Sequence, residues 1–220
     1  SRAKEWITPG SDKIIYDVGG HYDLDTRIFD HHQRGAPLRD DGQPFSSFGL
    51  IWRHFGRDYL TSFDVPEEHL AALHASLDTK FVLPIDLLDN GAVDPGGIGP
   101  LSALLLPELI ESLKPVFDDT DADAEARSFQ TALTIARTFL EARISRSVAK
   151  LRAEAIVMQA IAEAGDGRIL ELPMGMPFRP AIKKARADHL LFVINPRGSD
   201  WVIGGIRKSE DGFEQRADLP

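Results

Sequence analysis

The sequence has 220 residues, 43% of them hydrophobic, so it can bury one large core or two modest ones, and we expect two domains. It contains no cysteine, which excludes a disulfide framework, a thiolate zinc site and a cysteine nucleophile. The formal charge of −9 argues against binding long duplexes through a broad basic surface.

No segment approaches the ~18 consecutive apolar residues that a membrane-spanning helix needs, and the chain does not open with a charged-then-apolar leader. We therefore expect a soluble protein without a membrane partner. A cytoplasmic location is the default prediction, because a chain without cysteine suits a reducing compartment.

The first hundred residues alternate short apolar runs with helical patterns, which is typical of an α/β fold. Residues 13–19 (KIIYDVG) predict a buried strand that ends at Asp17 and a Gly-Gly turn, and residues 26–32 (TRIFDHH) predict a second, shorter strand.

Helical patterns come after these strands. Ser46 and Ser47 precede an apolar pattern that predicts a short helix, stopped at Gly56. A stronger pattern begins at Pro66 and leads into residues 83–91 (LPIDLLDNG), which end in an Asn-Gly turn.

The second half predicts a linker, a long helix and a smaller α/β domain. Residues 91–122 are rich in Gly, Pro and Asp, with one short apolar helix among them. Residues 123–165 carry an apolar period without proline, which predicts roughly 60 Å of helix. The remainder predicts three strands and one basic helix, at residues 167–173, 178–188, 189–196 and 200–207.

Acidic and histidine side chains gather where the first two predicted strands end. Asp17 closes one strand, and Asp30, His31 and His32 close the other. In open α/β sheets, ligands collect at the carboxyl ends of strands, and carboxylates with imidazole suit Mn²⁺ or Mg²⁺. These residues therefore predict a divalent metal site.

Two further carboxylates are predicted to close this site. Asp86 and Asp89 stand three residues apart on one helical face. Plainer interpretations stay open: Asp17 can cap the Gly-Gly turn, His31 and His32 can form a hydrogen-bonded pair at a strand edge, and the two helical aspartates can be solvated.

Four motifs in this order, DVGGHYD, FDHHQRG, FSSFGLIWRHFG and IDLLDNG, resemble those of the melanocyte proliferating gene exonuclease family, a branch of the DHH phosphoesterase superfamily. The stretches HLLFVINPRGSDWVIGGI and FEQRADLP are similar to that family's distal domain. The resemblance implies a DHH-type parallel-sheet domain (residues 1–100), joined by a helical linker (101–165) to a smaller α/β distal domain (166–220).

The resemblance also implies a two-metal phosphoesterase, with two Mn²⁺ ions or, as the alternative, Mg²⁺. Asp17 matches the carboxylate that bridges the metals, and His31 matches the metal-binding histidine of the third motif. Either Asp86 or Asp89 matches the ligand of the fourth motif, and the sequence does not decide between them.

Other residues match the substrate side of such a site. His32 matches the histidine that faces the scissile phosphate, and Asp30 is expected to orient the histidine pair. Arg34, Ser46 and Ser47 lie in family-like motifs and are predicted to bind substrate phosphate.

A basic helix in the second domain is a further candidate for substrate binding. Lys183 and Lys184 would hold the neighbouring phosphate of a single strand. The alternative is a solvated helix face, and the sequence leaves both open.

One expected motif is missing. The superfamily's first motif, a His-x-Asp-Asp or His-x-Asp-x-Asp element, should stand well before Asp17, but residues 1–16 contain no histidine. We expect this motif to lie upstream of Ser1, and the distal domain to continue beyond Pro220.

The leading hypothesis is a metal-dependent phosphodiesterase that works as an exonuclease on single-stranded RNA or DNA. The first alternative acts on short oligonucleotides, cyclic dinucleotides or pyrophosphate. The second is a non-catalytic nucleotide-binding module that lacks the first motif. Assembly into a homo-oligomer is left open.

Overall fold

A computed structural model describes residues 7–209 and 212–218 of the chain. The chain divides into two compact units, Ser1–Ile144 (unit 1) and Ser145–Pro220 (unit 2). Both contain helices and short strands, so the predicted α/β class is confirmed. The three-part division at residues 100 and 165 stays a prediction, and its outer ends, residues 1 and 220, lie outside the described residues.

Unit 1 contains a sheet of three two-residue strands, β1 (Ile15–Tyr16), β2 (Tyr22–Asp23) and β3 (Ile28–Phe29). The central strand β3 pairs parallel with β1 and antiparallel with β2. Only residues 24–27 separate β2 from β3, and so short a connection joins antiparallel strands. The described sheet is therefore mixed, not purely parallel as expected, and the DHH-type architecture stays a prediction.

Two packed helices come next, α1 (Ser47–Thr61) and α2 (Glu67–Leu77). The predicted stop at Gly56 is wrong, because α1 continues through this residue. A Cβ at Gly56 would lie 2.8 Å from the Trp52 ring and 2.9 Å from the His74 ring of α2. The glycine therefore permits close packing of the two helices and does not end the first.

A π-helical turn, Asp78–Val82, joins α2 to α3 (Leu83–Asp89). The amide of Leu83 bonds to the carbonyl of Asp78, five residues earlier. Pro84 has no amide hydrogen, and its ring would clash with the carbonyl four residues before it in a regular helix. The wider turn accommodates the proline and sets the direction of α3, which carries both predicted helical aspartates.

The core beside the first sheet is largely aromatic. β3 and α1 contribute most of it, and ring pairs such as Phe29 with Phe55 lie 5.8 Å apart between centroids. Such tilted or edge-to-face pairs stabilise a core beyond the area they bury. The cluster consists of Phe29, Phe45 and Leu50, with Tyr22, Ile51 and Phe55 packed against it.

The predicted linker has helical structure of its own. It contains a 3₁₀-helical segment (Pro95–Leu104) that is kinked at Gly99, where φ is 67°, and the short helix α4 (Leu106–Glu111). The long helix α5 (Ala124–Ala164) comes after them, close to the bounds that its apolar period predicts. No helix in the described ranges is long and apolar enough to cross a membrane.

Unit 2 contains β4 (Ile169–Glu171), α6 (Arg179–Ala185), β5 (Phe192–Arg197) and β6 (Asp200–Gly205). The three predicted strands and the basic helix are thus confirmed. The central strand β5 pairs parallel with β4 and antiparallel with β6. The aliphatic core of unit 2 is formed by Val157, Leu170, Leu172, Ala181, Ile182, Ala187, Leu190, Val193 and Ile206.

Candidate metal centre

The parallel pair β1 and β3 brings two acidic strand ends together. Tyr16 lies opposite Phe29 in the register, so the next residues, Asp17 and Asp30, emerge at the same edge of the sheet. The carboxyl ends of parallel strands are the usual place for a ligand site in α/β folds.

A buried serine of α1 ties the two strand ends together. The backbone amide of Asp17 donates to the Phe29 carbonyl at 3.2 Å and to the Ser47 Oγ at 3.0 Å. The Ser47 hydroxyl in turn donates to the Phe29 carbonyl at 2.5 Å. Asp17 has a φ of 62°, a left-handed conformation that aspartate tolerates better than most residues. The chain therefore turns off the strand here, and the Asp17 side chain is left 59% exposed.

The Asp30 carboxylate is buried and accepts three hydrogen bonds. They come from the Gly20 amide at 2.7 Å, the His32 amide at 3.1 Å and the His32 Nδ1 at 2.8 Å. Burial alone would raise the pKa of Asp30, but these hydrogen bonds outweigh it and lower the pKa to about 2. Asp30 is therefore a carboxylate anion that holds His32 in place.

His32 presents its ring to solvent, with 62% of the side chain exposed. The hydrogen bond from its Nδ1 to Asp30 raises the pKa of His32, and partial burial opposes this only in part. The carboxylate therefore fixes one ring nitrogen and leaves the other for a ligand. Asp30 therefore contacts His32, one of the two histidines that it was expected to orient, and the orienting role stays a prediction.

His31, in contrast to His32, is buried, with 5% of its side chain exposed. Its Nε2 lies 3.4 Å from Asp17 Oδ1 and 3.1 Å from Asp89 Oδ2, yet forms a hydrogen bond with neither. Its Nδ1 lies 3.3 Å from the Asn90 Oδ1. A buried ring nitrogen without a hydrogen bond thus faces two carboxylates.

The two helical aspartates have different surroundings, although they share a helix. Asp86 is fully buried and accepts hydrogen bonds from the Ser46 amide at 3.1 Å, the Ser46 Oγ at 2.6 Å and the Arg39 guanidinium at 2.6 and 3.2 Å. Arg39 also pairs with Asp78 at 2.5 Å. A Cβ at Gly49 would lie 2.3 Å from the Asp86 carboxylate, so only glycine allows this close approach.

Asp89 lies one helical turn later and contacts His31. Burial raises the pKa of Asp89; the neighbouring His31 ring opposes the rise, and the negative charge of Asp17 adds to it. The structure therefore places Asp89, and not Asp86, beside the strand-end residues.

One group of side chains in the described part of the chain has the spacing of metal ligands. The group consists of Asp17, His31 and His32, and we call it the strand-end cluster. One ligand atom from each of its residues lies within 4.8 Å of those of the other two. Carboxylate oxygen and imidazole nitrogen are donors that Mn²⁺ accepts. The site therefore fits a divalent cation in donor type, in spacing and in having a buried nitrogen without a partner.

The residues predicted to bind phosphate belong to both units of the chain. Ser46 caps α1 and its hydroxyl is directed to Asp86, and Arg34 is exposed. Lys183 and Lys184 lie exposed on α6 in unit 2, and the Lys184 ammonium contacts the carboxylate of Glu154. Both serine hydroxyls thus have structural partners, and phosphate binding by all five predicted residues, Ser47 included, stays a prediction.

Two residues of the site escaped the sequence analysis. Asn90 stands in an Asn-Gly turn, and that turn signal hid its contact with His31. Arg39 lies in a loop without periodicity, and nothing local indicates that it pairs with two aspartates distant in sequence. Only the folded chain reveals either contact.

Comparison with known proteins tests the resemblance noted in the motifs. Residues 1–220 match the profile of the MYG1 exonuclease family, which is described as an uncharacterised protein family, UPF0160. The chain belongs to this family. The resemblance is thereby confirmed along the whole chain, from the strand-end cluster in unit 1 to the second sheet in unit 2.

Individual relatives are distant in sequence but similar over nearly the whole chain. A MYG1 protein of Schizosaccharomyces pombe is 29% identical over 94% of this chain and 69% of its own length. The MYG1 exonuclease of Homo sapiens is 29% identical over 94% of this chain and 61% of its own length. A MYG1 protein of Saccharomyces cerevisiae is 28% identical over 99% and 71%, respectively. The chain thus spans 61–71% of these relatives, and no solved structure gives a significant match.

Proposed function

We propose that unit 1 carries the metal site of a phosphodiesterase, and that the protein is an exonuclease acting on free ends of single-stranded RNA or DNA. The observation that carries this proposal is the buried His31 Nε2, which has no hydrogen bond and lies 3.4 Å from Asp17 and 3.1 Å from Asp89. Two carboxylates converging on a ring nitrogen repel one another unless a cation lies between them. The exonuclease name of the human relative supports the choice of substrate.

In this proposal Asp17, His31 and Asp89 are metal ligands. Asp86 is not, because Ser46 and Arg39 already hydrogen-bond both of its oxygens. The motif resemblance favours two Mn²⁺ ions, with Mg²⁺ as the alternative, and implies further ligands from a first motif that residues 1–16 do not contain. Imidazole among the ligands favours Mn²⁺ over Mg²⁺.

Besides the metal ligands, the proposal gives roles to His32 and Asp30. Divalent ions bound here would activate a water for attack and offset the charge of the phosphoryl oxygens. His32, held through its Nδ1 by Asp30, has an exposed ring whose other nitrogen is free to meet a phosphoryl oxygen. As a donor it would stabilise the negative charge that grows there during in-line attack. Asp30 keeps this ring in place.

A second candidate substrate class keeps the same chemistry on smaller molecules. The net charge of −9 weakens long-range attraction to a long polyanion, and this favours short oligonucleotides, cyclic dinucleotides or pyrophosphate. The two classes differ in how the rate depends on strand length, so one length series distinguishes them.

The proposal is tested by following hydrolysis of single-stranded RNA and DNA, labelled at either end, by the full-length protein with Mn²⁺ or EDTA. We expect terminal nucleotides to be released only with the metal. Asp17→Asn and Asp89→Asn should each lower the rate by at least about 100-fold, since even outer partners of metal ligands cost 10–100-fold. Asp58→Asn, an exposed change on α1, is the matched control.

Two results would contradict the proposal. Hydrolysis that continues in EDTA would exclude the metal role of the cluster. A folded wild-type protein that binds nucleotides but cleaves none of these substrates would favour the non-catalytic module.

A further inference from the structure

Asn90 closes α3 directly after Asp89, and its side-chain amide has three neighbours. Its Nδ2 lies 3.2 Å from the Phe45 carbonyl and 2.8 Å from the Asp86 carbonyl, and its Oδ1 lies 3.3 Å from the His31 Nδ1. The two backbone carbonyls can only accept hydrogen bonds. They therefore fix the amide with its NH₂ group toward them and its oxygen toward the histidine.

This orientation decides which nitrogen of His31 carries a proton. The Asn90 Oδ1 is an acceptor, so the His31 Nδ1 must be the donor across that contact. In a neutral imidazole the other nitrogen, Nε2, then has a lone pair and no hydrogen. That lone pair faces Asp17 and Asp89, which explains why the buried Nε2 forms no hydrogen bond with either.

We propose that Asn90 is a positioning residue that holds His31 in its Nδ1–H tautomer and so directs the Nε2 lone pair between Asp17 and Asp89. This inference rests on the metal site of the proposed function and deepens it. Through its hydrogen bonds to two backbone carbonyls, Asn90 also connects His31 to Phe45 and Asp86. The Asp86 carboxylate is held in the same place by the backbone amide of Ser46. The residue that directly follows Asp89 thus sets the tautomer of His31, which Asp89 contacts.

The test uses two readouts on the full-length protein and three variants. Long-range ¹H–¹⁵N spectra of the metal-free protein, recorded at a pH high enough for the His31 ring to be neutral, identify its tautomer. Isothermal titration with Mn²⁺ gives the affinity. The variants are Asn90→Ala, which removes the acceptor, Asn90→Asp, which keeps it, and Asn195→Ala, which changes the chain's other asparagine in unit 2.

We expect the wild type and Asn195→Ala to have the proton on Nδ1. Asn90→Ala should move the proton toward Nε2 and weaken Mn²⁺ binding about 10–100-fold. Asn90→Asp should keep the Nδ1–H tautomer and nearly wild-type affinity, although it loses stability because its second oxygen faces two carbonyls. A merely structural asparagine would instead lose affinity in step with stability in both variants.

A wild-type His31 with its proton on Nε2 would overturn the inference, and so would an Asn90→Asp variant that binds Mn²⁺ as weakly as Asn90→Ala. Should the wild type bind no Mn²⁺ at all, the proposed function fails. The tautomer of the metal-free protein then still decides the role of Asn90 separately.

Discussion

The two sheets of the molecule share a pairing pattern and differ in the residues at the ends of their strands. In each, a central strand pairs parallel on one side and antiparallel on the other. In unit 1 the paired strands are two residues long and give way to Asp17 and Asp30. In unit 2 the parallel pairing is longer and gives way to Leu172, which is buried, and to Asn195. Two sheets of similar pairing can thus support a polar site or an aliphatic core, depending on these strand-end residues.

Burial of polar groups differs between the units in the same way. The buried polar and charged residues in the described part of the chain all lie in unit 1, and they are Asp30, His31, Ser46, Ser47 and Asp86. Burying such groups costs free energy unless hydrogen bonds or opposite charges compensate. Unit 1 therefore depends on specific polar partners, whereas the core of unit 2 depends on aliphatic packing.

The largest expected effect separates the two neighbouring histidines of unit 1. If the proposed roles hold, His32→Ala should lower the rate of hydrolysis about 10²–10⁴-fold and leave Mn²⁺ affinity nearly unchanged, because it removes the group proposed to meet the phosphate. His31→Ala should weaken both, because it removes a proposed ligand. Metal titration and hydrolysis of a short labelled oligoribonucleotide measure the pair.

The spacing of the cluster makes this a sharp comparison, since the ligand atoms of Asp17, His31 and His32 lie within 4.8 Å of one another. If His32→Ala loses Mn²⁺ as badly as His31→Ala, then His32 is itself a ligand. If it cleaves as fast as the wild type, it has no part in the reaction.

The next effect concerns the stability of unit 1. Asp86→Ala should lower its free energy of unfolding by about 3–5 kcal/mol, because it leaves the partly buried Arg39 charge and the buried Ser46 hydroxyl with fewer partners. Asp89→Ala, one turn away and at a side chain that is 47% exposed, is the matched variant and should cost much less. Urea denaturation compares them, and equal losses would refute the division of roles.

In unit 2 the corresponding change is apolar. Leu170→Ala should lower the stability of unit 2 by about 2–5 kcal/mol, because its fully buried side chain leaves a cavity among aliphatic neighbours. Hydrogen exchange of the β4–β6 amides measures this loss. Mn²⁺ affinity should not change, and a strong drop in affinity would show that the metal site depends on unit 2.

The smallest effect is a pH dependence in the aromatic core of unit 1. Burial, and then the positive charge of Arg53, lower the pKa of His54, whose Nε2 lies 2.5 Å from the Tyr22 hydroxyl. The folded state therefore favours the neutral His54 ring. This preference stabilises the folded state above the ordinary histidine pKa, and the contribution is lost as pH falls through the lowered pKa of the folded state. His54→Gln should reduce this acid loss, as measured by unfolding at several pH values, and an unchanged pH profile would contradict it.

Sequence patterns predicted the parts of the molecule that depend on local rules. The apolar period predicted the long helix, and strand ends side by side predicted that Asp17 and His31 would meet. Asp86 and Asp89 could not be separated, because residues three apart on a helix share a face. Their difference comes from Arg39, a tertiary partner 47 residues from Asp86 in sequence. The end of α1 was missed for a similar reason, since Gly56 is required by a packing neighbour on α2.

The central claim is that Asp17, His31 and Asp89 of unit 1 bind a divalent cation, and Mn²⁺-dependent stability tests it most directly. A ligand that binds only the folded state raises the free energy of unfolding by about 2.7 kcal/mol at a hundredfold excess over its dissociation constant. We expect thermal unfolding of the full-length protein to shift upward with Mn²⁺, Asp17→Asn to erase most of that shift, and Asp58→Asn to preserve it. A wild-type melting temperature that stays constant across a millimolar Mn²⁺ titration, or an equal shift in Asp17→Asn, would contradict the claim.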